Sequence, residues 1–241
     1  MAPGAPGAVT DGFAGGEQGP VVGNTVVGDT ASTRIADALR TAILDGSYRP
    51  GERIRQEDVA ARSGASRIPV REALRMLAAE GLVTLVANSG AWVTRLTMAE
   101  CAELYLIRER LEPLLLRASM PRLGEAETAR LAELTEAMEA ADTDVDAFLR
   151  ADREFHLSSY AGAAPGETWQ IIHRMWNATQ HYRREFTQRA ARGGLGVTHL
   201  EHRLLLDCVR RQDADDAERV LVTHIRRTRL ELEKHPEIFA P

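Results

Sequence analysis

The chain is almost without lysine. It carries 30 basic residues, and all but Lys234 are arginine. It has two cysteines, Cys101 and Cys208, far apart and in no CxxC spacing. That argues against a disulfide framework and predicts a reducing, cytoplasmic setting, with both thiols read as buried structural groups. No run approaches the roughly 18 apolar residues that a membrane-spanning helix needs. The first residues lack a basic segment followed by a continuous apolar core, which predicts no signal peptide.

What is present is a chain of 241 residues, 44% hydrophobic and 27% charged, the composition of a soluble protein with one large or two small domains. Its net charge of −5 gives no sign of nucleic-acid binding. That number averages over three unlike segments. Residues 1–29 hold no basic residue and sum to −3, residues 30–98 sum to +3, and residues 99–241 sum to −5. A basic segment lies between two acidic ones.

Residues 1–29 are rich in Gly, Pro, Ala and Thr and lack apolar periodicity, so a disordered arm is expected. A helix is expected from Ser32 or Thr33, either of which can cap it, with Ile35, Leu39 and Ile43 on one stripe and Gly46 and Pro50-Gly51 as stops. A short helix follows over 56–63. Gly64 breaks the chain, Ser66 can cap a third helix over 67–80, and Pro69 is tolerated in its first turn. Residues 82–86 and 91–95 flank the turn-forming Asn88-Ser89-Gly90 and read as a β-hairpin. Three helices and a hairpin make a winged helix-turn-helix layout over 30–96. From Thr97, which opens a capping box with Glu100, the pattern is helical: 97–120, with Pro113 as a kink point, then 125–141, 144–161, 167–190, 197–211 and 213–234. Six antiparallel helices over 97–235 make an all-α bundle with room for a central pocket, and 236–241 is left as a tail. The fold expected is therefore mainly α.

On helix 67–80 the buried face is Val70, Ala73, Leu74 and Leu77. Arg67, Arg71 and Arg75 recur every four residues on another face, where they can reach phosphates and guanine edges in a major groove. With a preceding turn and a following hairpin, this stripe reads as a recognition helix. The run Pro50-Gly51-Glu52-Arg53-Ile54, then Val59-Ala60, Gly64 through Leu74, Glu80-Gly81-Leu82-Val83 and Gly90-Ala91-Trp92-Val93 resembles the GntR family of bacterial transcription regulators. The helical remainder resembles the FCD domain of the FadR-type branch. The resemblance implies base or phosphate contacts from Ser66, Arg67 and Arg71, with the wing turn at Ser89-Gly90 in the minor groove. Ile68 departs from the Thr commoner there, so it can only meet a thymine methyl or pack. Ser89 stands where the wing often carries a basic residue.

Asp152 and His156 are one helical turn apart on a face shared with Leu149 and Tyr160, so both point inward. His202 is in register with Leu206 and Val209, and His224 follows Val220 and Leu221. Three imidazoles and one carboxylate suit a divalent metal, with zinc placed first and nickel, iron or manganese as alternatives. His199, one turn before His202, is a competing ligand. The resemblance implies the same four residues as a metal site, since many FCD domains carry Asp-x3-His and two later histidines. It also implies a small carboxylate effector at open metal positions, and it makes Arg108 a cavity arginine. Trp176, Asn177 and Arg183 are further candidates to line that pocket. After His156 the family often has a Gly-Asn-Pro-like turn, where this chain has Gly162-Ala163-Ala164-Pro165.

Three functions remain in play. The first is a transcription regulator, a repressor on this reading, that binds palindromic double-stranded DNA as a homodimer and answers to a carboxylate. The second is a metal-dependent enzyme, for which Glu154 and Glu201 are the nearest bases, although helical spacing turns both away from their neighbouring ligands. No nucleophile or oxyanion motif accompanies them, so no enzymatic activity is expected. The third is a regulator with a purely structural metal.

Overall fold

A computed structural model describes residues 30–87, 89–141 and 143–240. The arm expected over 1–29 and Asn88 of the wing turn lie outside them. The first helix, α1 (Ala31–Leu44), starts ahead of Ser32 and Thr33, so neither is its cap. It is followed by a two-residue strand β1 (Arg53–Ile54), α2 (Gln56–Ser63), α3 (Arg67–Ala79), and the hairpin β2 (Val83–Val86) and β3 (Gly90–Val93). Strand β1 has no signature in the sequence, because two residues carry no alternation. It pairs antiparallel with β3 through Arg53 opposite Trp92, giving a three-stranded sheet in the order β1-β3-β2. Ser66 occupies the N-cap position of α3 with extended backbone, but its side chain makes no capping bond.

The rest is helical: α4 (Met98–Ser119), α5 (Glu125–Ala140), α6 (Val145–Ser159), α7 (Glu167–Gly193), α8 (Gly196–Arg211) and α9 (Ala214–Leu232). The Thr97 hydroxyl accepts from the Glu100 amide while the Glu100 carboxylate accepts from the Thr97 amide at 2.7 Å, so the capping box forms as expected. Residues 236–239, expected as a free tail, form a 3-10 turn whose Phe239 stacks on Tyr182 with ring centroids 4.8 Å apart. The apolar ring finds a partner that the sequence could not show.

Buried apolar side chains form two cores. One draws on Ile35 through Val93, the other on Cys101 through Leu232. In the first, Val70, Leu74 and Leu77 of α3 are essentially fully buried. Burial of this kind contributes about 1.5–3 kcal/mol per large aliphatic side chain and holds α3 with its other face outward. Helix α7 is the spine between the two cores. The Tyr182 hydroxyl donates to the Leu96 carbonyl at 2.9 Å and accepts from the Leu96 amide at 2.7 Å. Gly81 has a φ of +79°, and a Cβ there would come within 2.6 Å of the Arg174 Cγ and 3.1 Å of the Arg174 carbonyl. Only glycine permits that turn and that approach together.

Candidate functional site

The outward face of α3 carries Arg67, Ile68, Arg71 and Arg75, all exposed. Arg67 lies 3.3 Å from Glu57 of α2 and Arg75 lies 3.4 Å from Glu72, both loose surface pairs. Arg71 has no ion-pair partner among the described residues. Ile68 is 80% exposed, so the packing alternative for it is removed. Ser66 is exposed at the head of the helix. At the wing, Ser89 is exposed and Gly90 has a φ of +127°. The basic group missing at Ser89 is supplied from β1. The Arg53 guanidinium donates to the Ser89 carbonyl at 2.9 Å and lies over the Trp92 ring, 5.6 Å from its centroid. Sequence reasoning missed Arg53 because it lies 36 residues upstream of the turn it braces.

In the bundle, α6 presents Asp152 and His156, α8 presents His202, and α9 presents His224. One ligand-type atom from each of the four lies within 4.8 Å of the others, and all four residues are buried. His202 Nε2 is 3.0 Å from Asp152 Oδ1 and 3.2 Å from His156 Nε2. Phe155 meets both His156 and His202 edge-on, closing one side of the cluster with hydrocarbon. His199 edges onto Phe148 instead and stands outside the group.

The far ring nitrogens set what the near ones can do. His202 Nδ1 donates to the Thr198 carbonyl at 2.8 Å, and His224 Nδ1 donates to the Glu201 carboxylate at 2.7 Å. His156 Nδ1 meets the Tyr160 hydroxyl at 3.3 Å. With Nδ1 protonated in each ring, all three Nε2 atoms offer lone pairs. Burial lowers His202 and His224 to about 4 and carries His156 well below its ordinary value, so the rings are neutral at pH 7. Two neutral Nε2 acceptors facing each other at 3.2 Å repel unless a cation lies between them. The donor set therefore fits a divalent metal ion by chemistry, orientation and protonation state together.

Several of the supporting groups escaped the sequence reading. Glu201 is the clearest. Helical spacing turned it away from His202, as expected, but it reaches across to His224 on the next helix. Burial raises it, but the bonds from His224 and Arg227 outweigh burial and carry it down to about 2. Arg227 holds both of its carboxylate oxygens, at 2.8 and 2.6 Å. Tyr160 donates to Glu112 at 2.6 Å, and Glu112 accepts from Arg108 at 2.5 Å, so a buried chain runs from the cluster to α4. Glu154 turns outward to Arg130.

Arg108 and Arg183 sit over the Trp176 ring, 4.6 and 3.9 Å from its centroid, and the ring itself lies against His156. Arg183 is also ion-paired with Asp152. Both arginines thus face the cluster, as the sequence suggested. Asn177 does not. Its Nδ2 donates to the Glu80 carbonyl at 2.9 Å, and its Oδ1 accepts from Arg153 at 2.6 Å. It lies one residue past Trp176, and the 100° step of a helix turns it to the neighbouring core. The amide is thereby committed to Arg153 and the end of α3. Cys101 and Cys208 are both buried, and burial pushes the Cys101 thiol up to about 12, the behaviour of inert structural cysteines.

Among the described residues, no helix is long and apolar enough to cross a membrane. The family described as "Bacterial regulatory proteins, gntR family" matches residues 31–93, and the FCD domain matches residues 103–227. An HTH-type transcriptional regulator in an unstable DNA locus of Streptomyces ambofaciens is 30% identical over 84% of this chain and 86% of its own length. The HTH-type transcriptional repressor GlaR of Escherichia coli (strain K12) is 27% identical over 78% of this chain and 89% of its own. The crystal structure of a transcriptional regulator GntR from Rhodococcus sp. RHA1 superposes with a TM-score of 0.71 at 25% identity, covering 84% of this chain and 97% of that one. These relatives are regulators, not enzymes. The chain is a DNA-binding transcriptional regulator of the GntR family, with an FCD domain behind its winged helix-turn-helix.

Proposed function

We propose that this regulator is a repressor that binds a palindromic operator as a homodimer and is controlled by a small carboxylate taken up at a divalent metal. Asp152, His156, His202 and His224 would hold the ion, zinc first among the candidates. The observation that carries the reading is the convergence of four buried ligand-type atoms from three helices within 4.8 Å, next to two buried arginines. When bound, the metal supplies a Lewis-acid centre with open positions for a carboxylate. Arg108 and Arg183 supply positive charge on the same side and orient the acid through their planar forks. Phe155 and Trp176 keep water out.

On DNA, Arg67, Arg71 and Arg75 contact phosphates and base edges in the major groove, with Ser66 at the helix start and Ile68 against a thymine methyl. Ser89 and Gly90 enter the minor groove with Arg53 behind them. Two-fold symmetry in the protein matches a palindrome. Val197, Leu200 and Leu204, exposed by 58%, 58% and 53% on one side of α8, favour a face covered by a second copy.

The test is metal content and operator binding of His202→Ala and His224→Ala. Both lose metal and the response to organic acids while still binding operator DNA; full metal occupancy in both overturns the ligand assignment. The tight packing of Trp176 and Arg183 on the cluster also favours a second reading, a metal that is only structural. Under it, chelation unfolds the bundle and no organic acid changes operator affinity.

A further inference from the structure

A cavity lined by none of the four clustered residues opens on another side of α6. It is an open cleft of about 610 Å³ whose walls come from α1 on one side and from α6 and α7 on the other. That volume is within the range of small-molecule sites. Leu44, Leu149 and Leu157 give it an apolar wall, and Arg150 and Arg153 stand on the same wall one helical turn apart.

The lining balances formally, with Asp45, Asp146 and Glu154 against Arg150, Arg153 and Arg184, but the pairing is uneven. Glu154 is engaged by Arg130 at 2.6 Å, and Asp45 accepts from the Ser47 hydroxyl at 2.6 Å. Arg184 is spent on Asp146 and the Leu44 carbonyl. Arg150 and Arg153 are left without a carboxylate partner among the described residues. Arg153 uses Nη2 on the neutral Asn177 amide at 2.6 Å, and its Nη1 is buried with no hydrogen-bond partner among the described residues. The Arg153 side chain thus lines the cleft with no carboxylate on it, although Nη1 itself is closed off from solvent.

We propose that this cleft is a second ligand site, distinct from the metal cluster, for an amphipathic organic acid whose carboxylate engages Arg150 and Arg153 and whose hydrocarbon lies on Leu44, Leu149 and Leu157. The inference is independent of the metal reading. Its consequence follows from the walls. A ligand touching α1 and α6 at once binds one arrangement of the two elements better than another, which is the requirement for a ligand to shift an equilibrium. Arg153 is also the first member of a chain that runs through Asn177 to the Glu80 carbonyl at the end of α3. An acid on Arg153 therefore acts on the recognition helix through one intervening side chain.

The test is calorimetric titration of the metal-loaded full chain with octanoate, with octan-1-ol as the uncharged control. Saturable octanoate binding is expected, at least tenfold tighter than octan-1-ol. Arg153→Gln weakens it by tenfold or more. Thr41→Trp, at an exposed position on the α1 wall, narrows the cleft from the side that bears no arginine, does the same and covers the case in which Arg153→Gln fails to fold. His224→Ala leaves it within twofold. Equal binding of acid and alcohol, no saturable binding, or octanoate affinity unchanged in Thr41→Trp overturns the proposal. Binding lost in His224→Ala but kept in Thr41→Trp also overturns it, by placing the acid at the metal cluster, and leaves the metal reading standing.

Discussion

Arginine is used in opposite ways at the two ends of this molecule. On α3, Arg67, Arg71 and Arg75 stand in solvent with loose partners or none. In the bundle, Arg108 and Arg183 are 3% and 6% exposed, pressed onto one indole ring, and each is tied to a carboxylate. The first set keeps its charge available for a partner outside the chain. The second has given up its water for Trp176, Glu112 and Asp152. Burial pulls Arg183 down to about 9; it pulls on Arg108 as well, but Glu112 together with Tyr105 and Tyr160 outweighs it and raises that group. An exposed arginine is close to free to change as far as folding goes, and a buried one is not.

The comparison breaks most visibly at Arg183. In the metal-free protein, Arg183→Met leaves the Asp152 carboxylate buried without its cation. Removing one member of a buried pair costs about 3–5 kcal/mol. For a chain of this size that lowers Tm by roughly 6–20 °C. Thermal denaturation of stripped protein measures it, and a loss under about 1 kcal/mol would put Arg183 in the class of the surface arginines. Zinc added to the same variant is expected to recover most of the loss, because Asp152 then has another cation.

Arg71 gives the converse. Arg71→Ala leaves Tm unchanged, since the side chain is exposed and has no hydrogen bond or ion pair among the described residues. It weakens operator binding by about 1–3 kcal/mol if the arginine reads a base edge. A phosphate contact instead lowers affinity evenly across sequences and reduces the salt slope by about one. Titrations on operator and unrelated DNA at several salt concentrations separate the two. Unchanged affinity for both DNAs would remove α3 as the recognition helix.

These two regions were not equally legible. The α3 face is written within thirteen consecutive residues, so a stripe of arginine every four positions shows itself once the helix is assumed. The cluster of Asp152, His156, His202 and His224 needs three helices to meet. The sequence gives each histidine an inward face, and the resemblance to FCD domains supplied the convergence. What stayed hidden is what depends on contacts between distant elements. Glu201 could be placed only relative to its own helix, where it points away from His202, and its bond to His224 spans 23 residues. Arg53 braces a turn 36 residues downstream. Asn177 follows Trp176 directly, but adjacent helical residues face different ways, and its partners Arg153 and Glu80 lie far off in sequence.

Asn177 joins the bundle to the end of α3 through a third kind of arginine, Arg153, which belongs to neither set. Its amide accepts from Arg153, next to Asp152 of the histidine cluster, and donates to the Glu80 carbonyl just past α3. Glu80 in turn holds Arg40 of α1 with both carboxylate oxygens, at 2.7 and 2.6 Å. Asn177→Ala removes both bonds at once, but Glu80 is only half-buried and water can replace the amide there. Arg153 loses the acceptor of its guanidinium, so the expected cost is about 1–3 kcal/mol. Its location matters more than its size. If this amide transmits between the bundle and α3, hydrogen exchange should quicken at the backbone amides of residues 80–82 in the variant and stay unchanged around His202 and His224. Exchange that rises equally in both places would mean that Asn177 only adds general stability. The buried and the exposed arginines would then belong to two sites with no side-chain link between them.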